Sequence, residues 1–343
     1  MTETHTSIAW TDQWQLIDRR QWSLFVAEHP NGTFFQTPEY VELHQDVKGY
    51  QPFVVAAYHA DNQQMIGILV AIRHHVYGGM ARYVTSRVIV VGGPLVDAQY
   101  PEAAGVLLQR FVKNMQWKAI FSEFRNLFDM SSCHAALMAH HAIFEDHLDI
   151  LIDLRKDEDA LWKEIRSKRR NAIRHAQKEA VEVRELSTEA EREHSWRIIR
   201  DLYRREKLPL APKALFERAF ALLVPQGYLK VYGAFYQDRL IGTRYLLAYK
   251  NMLYDWYAGS DEVFYSLRSN DLMPWTVLVK GKEEGFTLFD FGGAGKPSVP
   301  YGVRDYKKSF GGTLVNFGRY ELYHNKPLFN VMKLAFRFWQ WIQ

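Results

Sequence analysis

One order of secondary-structure signals occurs twice along this 343-residue chain. In each half, two helical patterns precede three strand patterns, one further helix and a fourth strand. Both halves also place an Ile-Gly pair at the start of the second strand, beginning at Ile66 and at Ile241. A duplicated unit explains the element order and the paired dipeptides together. We therefore predict an α/β protein with mixed sheets of the α+β kind, built from two tandem domains at residues 1–150 and 151–343.

Composition excludes several classes of protein. Apolar residues make up 48% of the chain and charged residues 24%, so a large core can form and intrinsic disorder is excluded. The single cysteine, Cys133, excludes an internal disulfide and a thiolate zinc cluster. We expect a cytoplasmic protein, because the sequence shows neither an export signal nor an apolar run of about 18 residues.

The charged and histidine side chains limit the partners that we expect. A formal charge of +4 permits an anionic substrate but is too small for a protein that coats nucleic acid. The loosely clustered histidines, from His74 to His147, lack the spacing of a metal site. We expect no bound metal and no stable nucleic-acid complex.

A basic amphipathic helix is predicted near the start of the second half. Seven cations and one opposing acid, Glu164, lie between residues 163 and 178, while apolar residues recur every three to four positions. The charged face could hold phosphate groups or could simply be solvated. The seven cations are Lys163, Arg166, Lys168, Arg169, Arg170, Arg174 and Lys178.

A second helix in this half has a clear start and is followed by a predicted loop. Thr188 and Glu191 have the spacing of a capping box, in which each side chain accepts a hydrogen bond from a backbone N–H at the helix start. Pro209 and Pro212 then exclude a continuous helix.

The densest chemical signal is a glycine-rich segment near the end of the second half. Six glycines occur between residues 292 and 312. They could form a bed of backbone donors for a ligand, or a tight loop between two strands. The segment is not a phosphate-binding P-loop, because Pro297 follows Lys296 where that motif needs serine or threonine.

The C-terminal run, residues 327–343, is rich in aromatic residues and contains two cations after its first proline. An amphipathic helix of this kind can dock on its own protein or lie on a membrane surface. We favour docking, with at most peripheral membrane contact.

Several of these segments, taken in order, resemble the FemABX family of aminoacyl transferases, which build peptidoglycan cross-bridges, and its relatives with a duplicated GNAT-like fold. The resemblance spans nearly the whole chain. It depends on FFQTPEY, IGILVAI, GGPLV, LWKEIRSKRRNAIRHAQKEAVEV, FDFGGAG and YKKSFGG.

The resemblance implies a site and a reaction. Lys307, in a segment that matches the family's Phe-Lys-x-x-Phe with tyrosine in first place, becomes the catalytic candidate. The implied donor is aminoacyl-tRNA, the acceptor is a nucleotide- or lipid-linked cell-wall precursor, and no cofactor is needed. The residues that we expect to bind substrate are Tyr306, Arg304, Phe310, Arg205, Gly292, Gly293, Lys168, Arg169 and Arg170.

Two other functions remain open at this point. The first is an acyl-CoA-dependent N-acyltransferase acting on a small amine or a lipid precursor. It is disfavoured because neither half contains the pyrophosphate loop usual in GNAT enzymes. The second is a non-catalytic adaptor that binds RNA or a membrane, against which the intact YKKSFGG segment argues.

Overall fold

The computed structural model describes residues 8–75, 81–331 and 334. The chain forms two compact units, one of Met1–Asp146 with Phe317–Gln343 and one of His147–Asn316. The observed first boundary lies close to the predicted division after residue 150. The C-terminal segment differs from the prediction, because it joins the first unit rather than the second.

The first unit is built on an eight-stranded sheet in the order β1-β2-β3-β4-β6-β15-β7, with β5 paired to β3. Its elements are β1 (Ile8–Thr11), α1 (Arg19–Glu28), α2 (Pro38–His44), β2 (Tyr50–His59), β3 (Met65–His74), α3 (Ala81–Val84), β4 (Arg87–Val91), β5 (Leu95–Val96), α4 (Ala103–Met115), β6 (Phe121–Arg125), α5 (Ser131–Ala139), β7 (Ile143–Glu145) and β15 (Arg319–Tyr323).

The second unit is built on a seven-stranded sheet in the order β14-β8-β13-β12-β11-β10-β9. Its elements are β8 (Leu148–Asp153), α6 (Glu158–Glu164), α7 (Ser167–Lys178), β9 (Glu182–Glu185), α8 (Glu189–Arg205), α9 (Lys213–Leu223), β10 (Leu229–Tyr236), β11 (Arg239–Tyr249), β12 (Met252–Ser260), α10 (Ser269–Glu283), β13 (Leu288–Asp290), α11 (Gly302–Lys308) and β14 (Thr313–Asn316).

The two units repeat one topology, which confirms the predicted duplication. Each has an antiparallel run of three consecutive strands, followed by a helix and a strand that lies parallel to the third strand of that run. The parallel pairs are β4 with β6 and β12 with β13. A helix must cross over between parallel neighbours, and α4 and α10 occupy those connections.

The C-terminal strand β15 explains why the last segment joins the first unit. It pairs antiparallel with β6 on one side and with β7 on the other. The backbone groups of two strands in the first sheet are therefore satisfied by a segment nearly 200 residues later in the chain. Periodicity identifies such a strand but does not say which sheet takes it.

Helix α8 begins with the predicted capping box. The amide of Glu191 donates to Thr188 Oγ1 at 3.2 Å, and the amide of Thr188 donates to a Glu191 carboxylate oxygen at 3.1 Å. The basic helix predicted near residues 163–178 is two helices, α6 and α7, broken at Ile165 and Arg166, where the backbone is extended.

Strand β12 contains a bulge that affects the site described below. Tyr257 is the partner of Tyr245, whereas Asp255 is the partner of Leu246, so Trp256 has no partner residue on β11. An extra residue of this kind bends the strand and changes the direction of the side chains beside it.

Much of the predicted C-terminal helix, residues 332–333 and 335–343, lies outside the described residues, so its docking stays a prediction. Within the described part, the Phe329 ring packs against Phe121 and Tyr323, with centroid distances of 5.1 and 4.7 Å. No helix among residues 8–75, 81–331 and 334 is long and apolar enough to cross a bilayer.

Candidate active site

A cavity of about 650 Å³ opens within the second unit. Its walls come from the end of α8, the second half of β12, the start of α10 and helix α11. Charged and aromatic residues dominate the part of the lining that matters for chemistry: Arg169, Tyr203, Arg244, Asp255, Tyr306 and Lys307. The predicted catalytic lysine therefore lines a cavity.

Lys307 links helix α11 to the glycine-rich segment. Its Nζ lies 2.6 Å from the carbonyl oxygen of Phe291, 3.1 Å from that of Gly292 and 3.0 Å from that of Gly293. Gly292 has a φ of +69°, which glycine adopts at little cost and which aids this convergence of carbonyl groups. An ammonium group has three hydrogens, so these three carbonyls satisfy it.

Three aspartates surround the lysine. Burial lowers the pKa of Lys307, and the nearby carboxylates of Asp255, Asp149 and Asp290 oppose that shift. Asp290 is fully buried, and burial together with the Asp149 carboxylate raises its pKa well above the usual range. Two carboxylates that are buried near one another repel each other, which favours the protonated form of Asp290.

Arg244 and Asp255 form a buried ion pair on adjacent strands. Arg244 Nη1 lies 2.5 Å from Asp255 Oδ2, and the two side chains are 2% and 10% exposed. The pair is incomplete, because Asp255 Oδ1 and Arg244 Nε are buried and meet no hydrogen-bond partner in the described part of the chain. Burial raises the pKa of Asp255, while Arg244 and Lys307 act against that shift.

Tyr306 and Arg169 line one side of the cavity, and Phe310 packs behind them. The Arg169 guanidinium lies over the Tyr306 ring at 4.7 Å and over the Phe310 ring at 5.3 Å. It forms an ion pair with Asp271 and donates to Ser309 Oγ at 2.9 Å. Tyr306 lines the cavity, whereas Phe310 is buried beneath it. Arg169 thus fastens α7 to the start of α10 and to the end of α11.

Two other predicted phosphate ligands are engaged with backbone. Arg304 donates to the carbonyl oxygens of Lys296 and Val299, each at 2.7 Å, and so closes the glycine-rich loop. Arg170 donates to the carbonyls of Ile165 and Lys163 at the end of α6, the latter at 3.1 Å. Both guanidinium groups stabilise local backbone, and their predicted contact with substrate stays a prediction.

Lys168 and Arg205 do not line this cavity. Lys168 is exposed on α7. Arg205 forms an ion pair with Glu262 at 3.1 Å and donates to the Tyr265 hydroxyl at 2.5 Å. Tyr265 lines the cavity, so Arg205 is linked to the site through the Tyr265 hydroxyl.

No sequence pattern indicated the Arg244–Asp255 pair or the position of Asp149 near Lys307. Arg244 and Asp255 occur inside strand patterns, where a lone charge has no motif around it. A charge at a buried strand position was the signal available, since such charges are rarely fully buried unless they are paired. No group of three or more potential metal ligands occurs among the described histidine, cysteine, aspartate and glutamate side chains.

A family model matches part of the chain, within the second unit. Residues 163–308 match the model of an acetyltransferase (GNAT) domain, which confirms the predicted acyltransferase. The chain has the tandem GNAT-like architecture that the sequence predicted. No curated protein sequence matches this chain.

Solved structures with this architecture share little sequence with the chain. FemX is 17% identical with a TM-score of 0.71, covering 92% of this chain and 98% of its own. L-PGS from Bacillus licheniformis is 12% identical with a TM-score of 0.57, covering 90% and 92%. A tandem GNAT protein from the clavulanic acid biosynthesis pathway is 9% identical with a TM-score of 0.53, covering 93% and 99%. The predicted resemblance to FemX-like proteins is confirmed at the level of the fold.

Proposed function

We propose that this protein transfers an aminoacyl group from aminoacyl-tRNA to the amine of a cell-wall precursor. The observation that carries the proposal is the position of Lys307, a half-buried cation whose cavity is also lined by aromatic rings and by the Arg244–Asp255 pair. The fold similarity to FemX supports the donor and the acceptor class.

The reaction needs a positive field at the reacting carbonyl. When an amine attacks an ester, the carbonyl oxygen becomes an oxyanion and the leaving group becomes an alkoxide. A fixed cation in a site of low dielectric stabilises both charges more than it stabilises the ground state. Lys307 supplies that cation, and three backbone carbonyls hold its ammonium group in place, which reduces reorganisation during the reaction.

The three carbonyls around Lys307 restrict how it acts. All three ammonium hydrogens are engaged, so a direct hydrogen bond to the oxyanion requires that one carbonyl release its hydrogen. The longer contact, to Gly292 at 3.1 Å, is the contact most easily exchanged. Without such an exchange, Lys307 acts through its charge alone.

The exposed cations of α7 form a separate region for phosphate. With Arg169 and Arg170 engaged internally, the solvent-facing charges are Arg166, Lys168, Arg174 and Lys178. Cations that contact a tRNA backbone gain affinity by releasing condensed counterions. We assign the donor's phosphates to this face.

Mass spectrometry of the acceptor tests the proposal. The purified protein is incubated with a mixture of aminoacyl-tRNAs and a UDP-linked muramyl peptide that carries a lysine. We expect a mass increase equal to one aminoacyl residue, which is absent when the tRNA is uncharged. No mass increase with any aminoacyl-tRNA or with lipid-linked precursor would contradict the proposal.

A second candidate function is acyl transfer from acyl-CoA, which the match to an acetyltransferase domain favours. The similarity in fold to L-PGS adds the possibility of a lipid acceptor. The same assay with acetyl-CoA in place of tRNA separates the two donors. A ligand that binds the folded protein also raises its melting temperature, so a shift with acetyl-CoA and none with charged tRNA would favour the second function.

A further inference from the structure

Asp255 has an oxygen that the protein leaves unsatisfied. Its Oδ2 faces Arg244, but Oδ1 is buried and accepts no hydrogen bond from the residues that the structure describes. A buried charged acceptor without a partner keeps an uncompensated desolvation penalty. A ligand that donates an N–H or O–H to Oδ1 would remove that penalty.

The bulge in β12 brings this carboxylate to the cavity. Trp256 is the extra residue of the bulge, and Asp255 precedes it. Asp255 is the first of six successive residues, ending at Ser260, that line the cavity, and the bulge at Trp256 lies inside this run. A regular strand would turn alternate side chains to opposite faces.

Groups on three elements surround Asp255. Arg244 on β11 forms its ion pair, and Lys307 on α11 lies close enough to affect its ionisation. Tyr203 on α8 and Tyr306 on α11 are the nearby phenols, whose pKa values burial raises. The phenols therefore stay neutral, and Asp255 is the carboxylate among these groups.

We propose that Asp255 receives the proton that the acceptor amine must lose before it attacks the donor. This inference depends on the proposed aminoacyl transfer. The acceptor enters as a primary ammonium, one N–H donates to Asp255 Oδ1, and that proton moves to the carboxylate. The free amine then forms the C–N bond as the ester C–O bond breaks. Its second proton goes to the leaving hydroxyl oxygen, and Asp255 returns its proton to solvent.

The pH dependence of turnover at saturating acceptor tests this assignment. Wild-type turnover should rise with pH to a plateau as Asp255 ionises. D255N should lower turnover at neutral pH by about 10²–10⁴-fold, and its rate should then rise about tenfold per pH unit, because only the free amine reacts. D255E should restore part of the plateau. Melting temperatures establish that each variant is folded.

A measurement on the wild type keeps the inference testable if D255N does not fold. Turnover is compared for a lysine acceptor and for the same peptide with diaminopropionate, whose side-chain ammonium group has a lower pKa. If Asp255 takes the proton, the midpoint of the acid-side limb is the same for both acceptors. A midpoint that follows the acceptor's own pKa overturns the assignment.

The outcomes separate the inference from the function on which it depends. Wild-type protein that transfers no aminoacyl group removes the proposed function. Active wild type, together with a D255N variant that keeps its turnover within tenfold and its pH profile, overturns the role of Asp255 and leaves the proposed function standing.

Discussion

Lys307 Nζ lies 2.6 Å from the carbonyl oxygen of Phe291, and this contact joins helix α11 to the residue that follows strand β13. The lysine thus has two roles in one place. It holds the backbone of the glycine-rich segment, and it places a positive charge at the cavity wall. Substitutions must therefore be assessed for stability as well as for turnover.

Lys307→Ala should lower turnover by about 10²–10³-fold, the scale seen when one oxyanion donor is removed. It should also destabilise the protein, because three carbonyls and the surrounding aspartates lose their cation. Steady-state kinetics and urea unfolding separate the two effects. Lys308→Ala is the matched control, since this neighbouring lysine is exposed and the formal charge change is the same. Equal turnover in the two variants would contradict the catalytic role.

Lys168→Ala and Arg170→Ala each remove one positive charge from α7, but the first should change tRNA binding and the second should change stability. Lys168 is exposed, so its loss should leave stability within about 0.5 kcal/mol and reduce the salt dependence of tRNA binding by up to about one unit of log–log slope. Arg170 binds carbonyls at the end of α6, so its loss should reduce the free energy of unfolding by about 1.5–3 kcal/mol. Binding titrations at several salt concentrations and urea unfolding measure both. If the salt dependence of tRNA binding is unchanged in Lys168→Ala, this face of α7 is solvated and does not contact tRNA.

Gly292→Ala should impair transfer more than its effect on stability accounts for. Gly292 and Gly227 both have positive φ, +69° and +73°. Alanine in that conformation costs about 1–2 kcal/mol at either position. At Gly227 the new Cβ meets open space. At Gly292 the new Cβ lies 3.3 Å from the Tyr254 hydroxyl. We expect this crowding to displace the Gly292 carbonyl, which binds Lys307. Turnover of Gly227→Ala and Gly292→Ala is compared after each rate is divided by the fraction of protein that is folded. The hypothesis fails if Gly227→Ala and Gly292→Ala reduce turnover equally.

The first unit should lose stability in mild acid. Burial, together with Arg87, His44 and Arg125, lowers the pKa of His74 to about 3, and burial lowers that of His324 to about 4. An unfolded histidine titrates near 6.5, so the unfolded state binds more protons between these values. The contribution of these two neutral histidines to the free energy of unfolding is complete above about pH 6.5. It is lost as the pH falls toward 4, at up to about 1.4 kcal/mol per pH unit for each histidine.

His324→Gln tests the pH dependence, because glutamine can keep a hydrogen bond in place of the 2.7 Å contact with Ser122 Oγ. Unfolding is measured in urea at pH 7, 6 and 5. The variant should show a shallower fall in stability than the wild type. The same slope in both proteins would mean that His324 titrates normally in the folded state.

Much of the architecture could be predicted from local pattern. The order of helices and strands, the tandem duplication and the start of α8 at Thr188 depend on residues within a few positions of one another. Lys307 was found through the YKKSFGG segment, and the structure gives it a cavity. The resemblance identified the segment, and the glycines at 292 and 293 indicated where a backbone could converge on a charge.

Other residues could not be assigned in this way. Arg304 and Arg170 were predicted to bind substrate, which stays a prediction, and no sequence pattern indicated that both guanidinium groups also bind backbone carbonyls. Asp255 lies within an ordinary strand pattern, and a bulge opposite Tyr245 and Leu246 brings it to the cavity. Neither outcome has a signature in residue spacing.

By itself, the sequence determined the repeated α/β architecture and identified Lys307 as the catalytic candidate. Both follow from periodicity, caps and short segments, which act between near neighbours in the chain. Only the tertiary structure decided which carbonyls surround Lys307, that Asp255 keeps an unpaired oxygen, and that β15 completes the first sheet. Those outcomes depend on contacts between backbone and charged groups that are far apart in the chain and come together when the core excludes water. No local sequence pattern specifies these contacts.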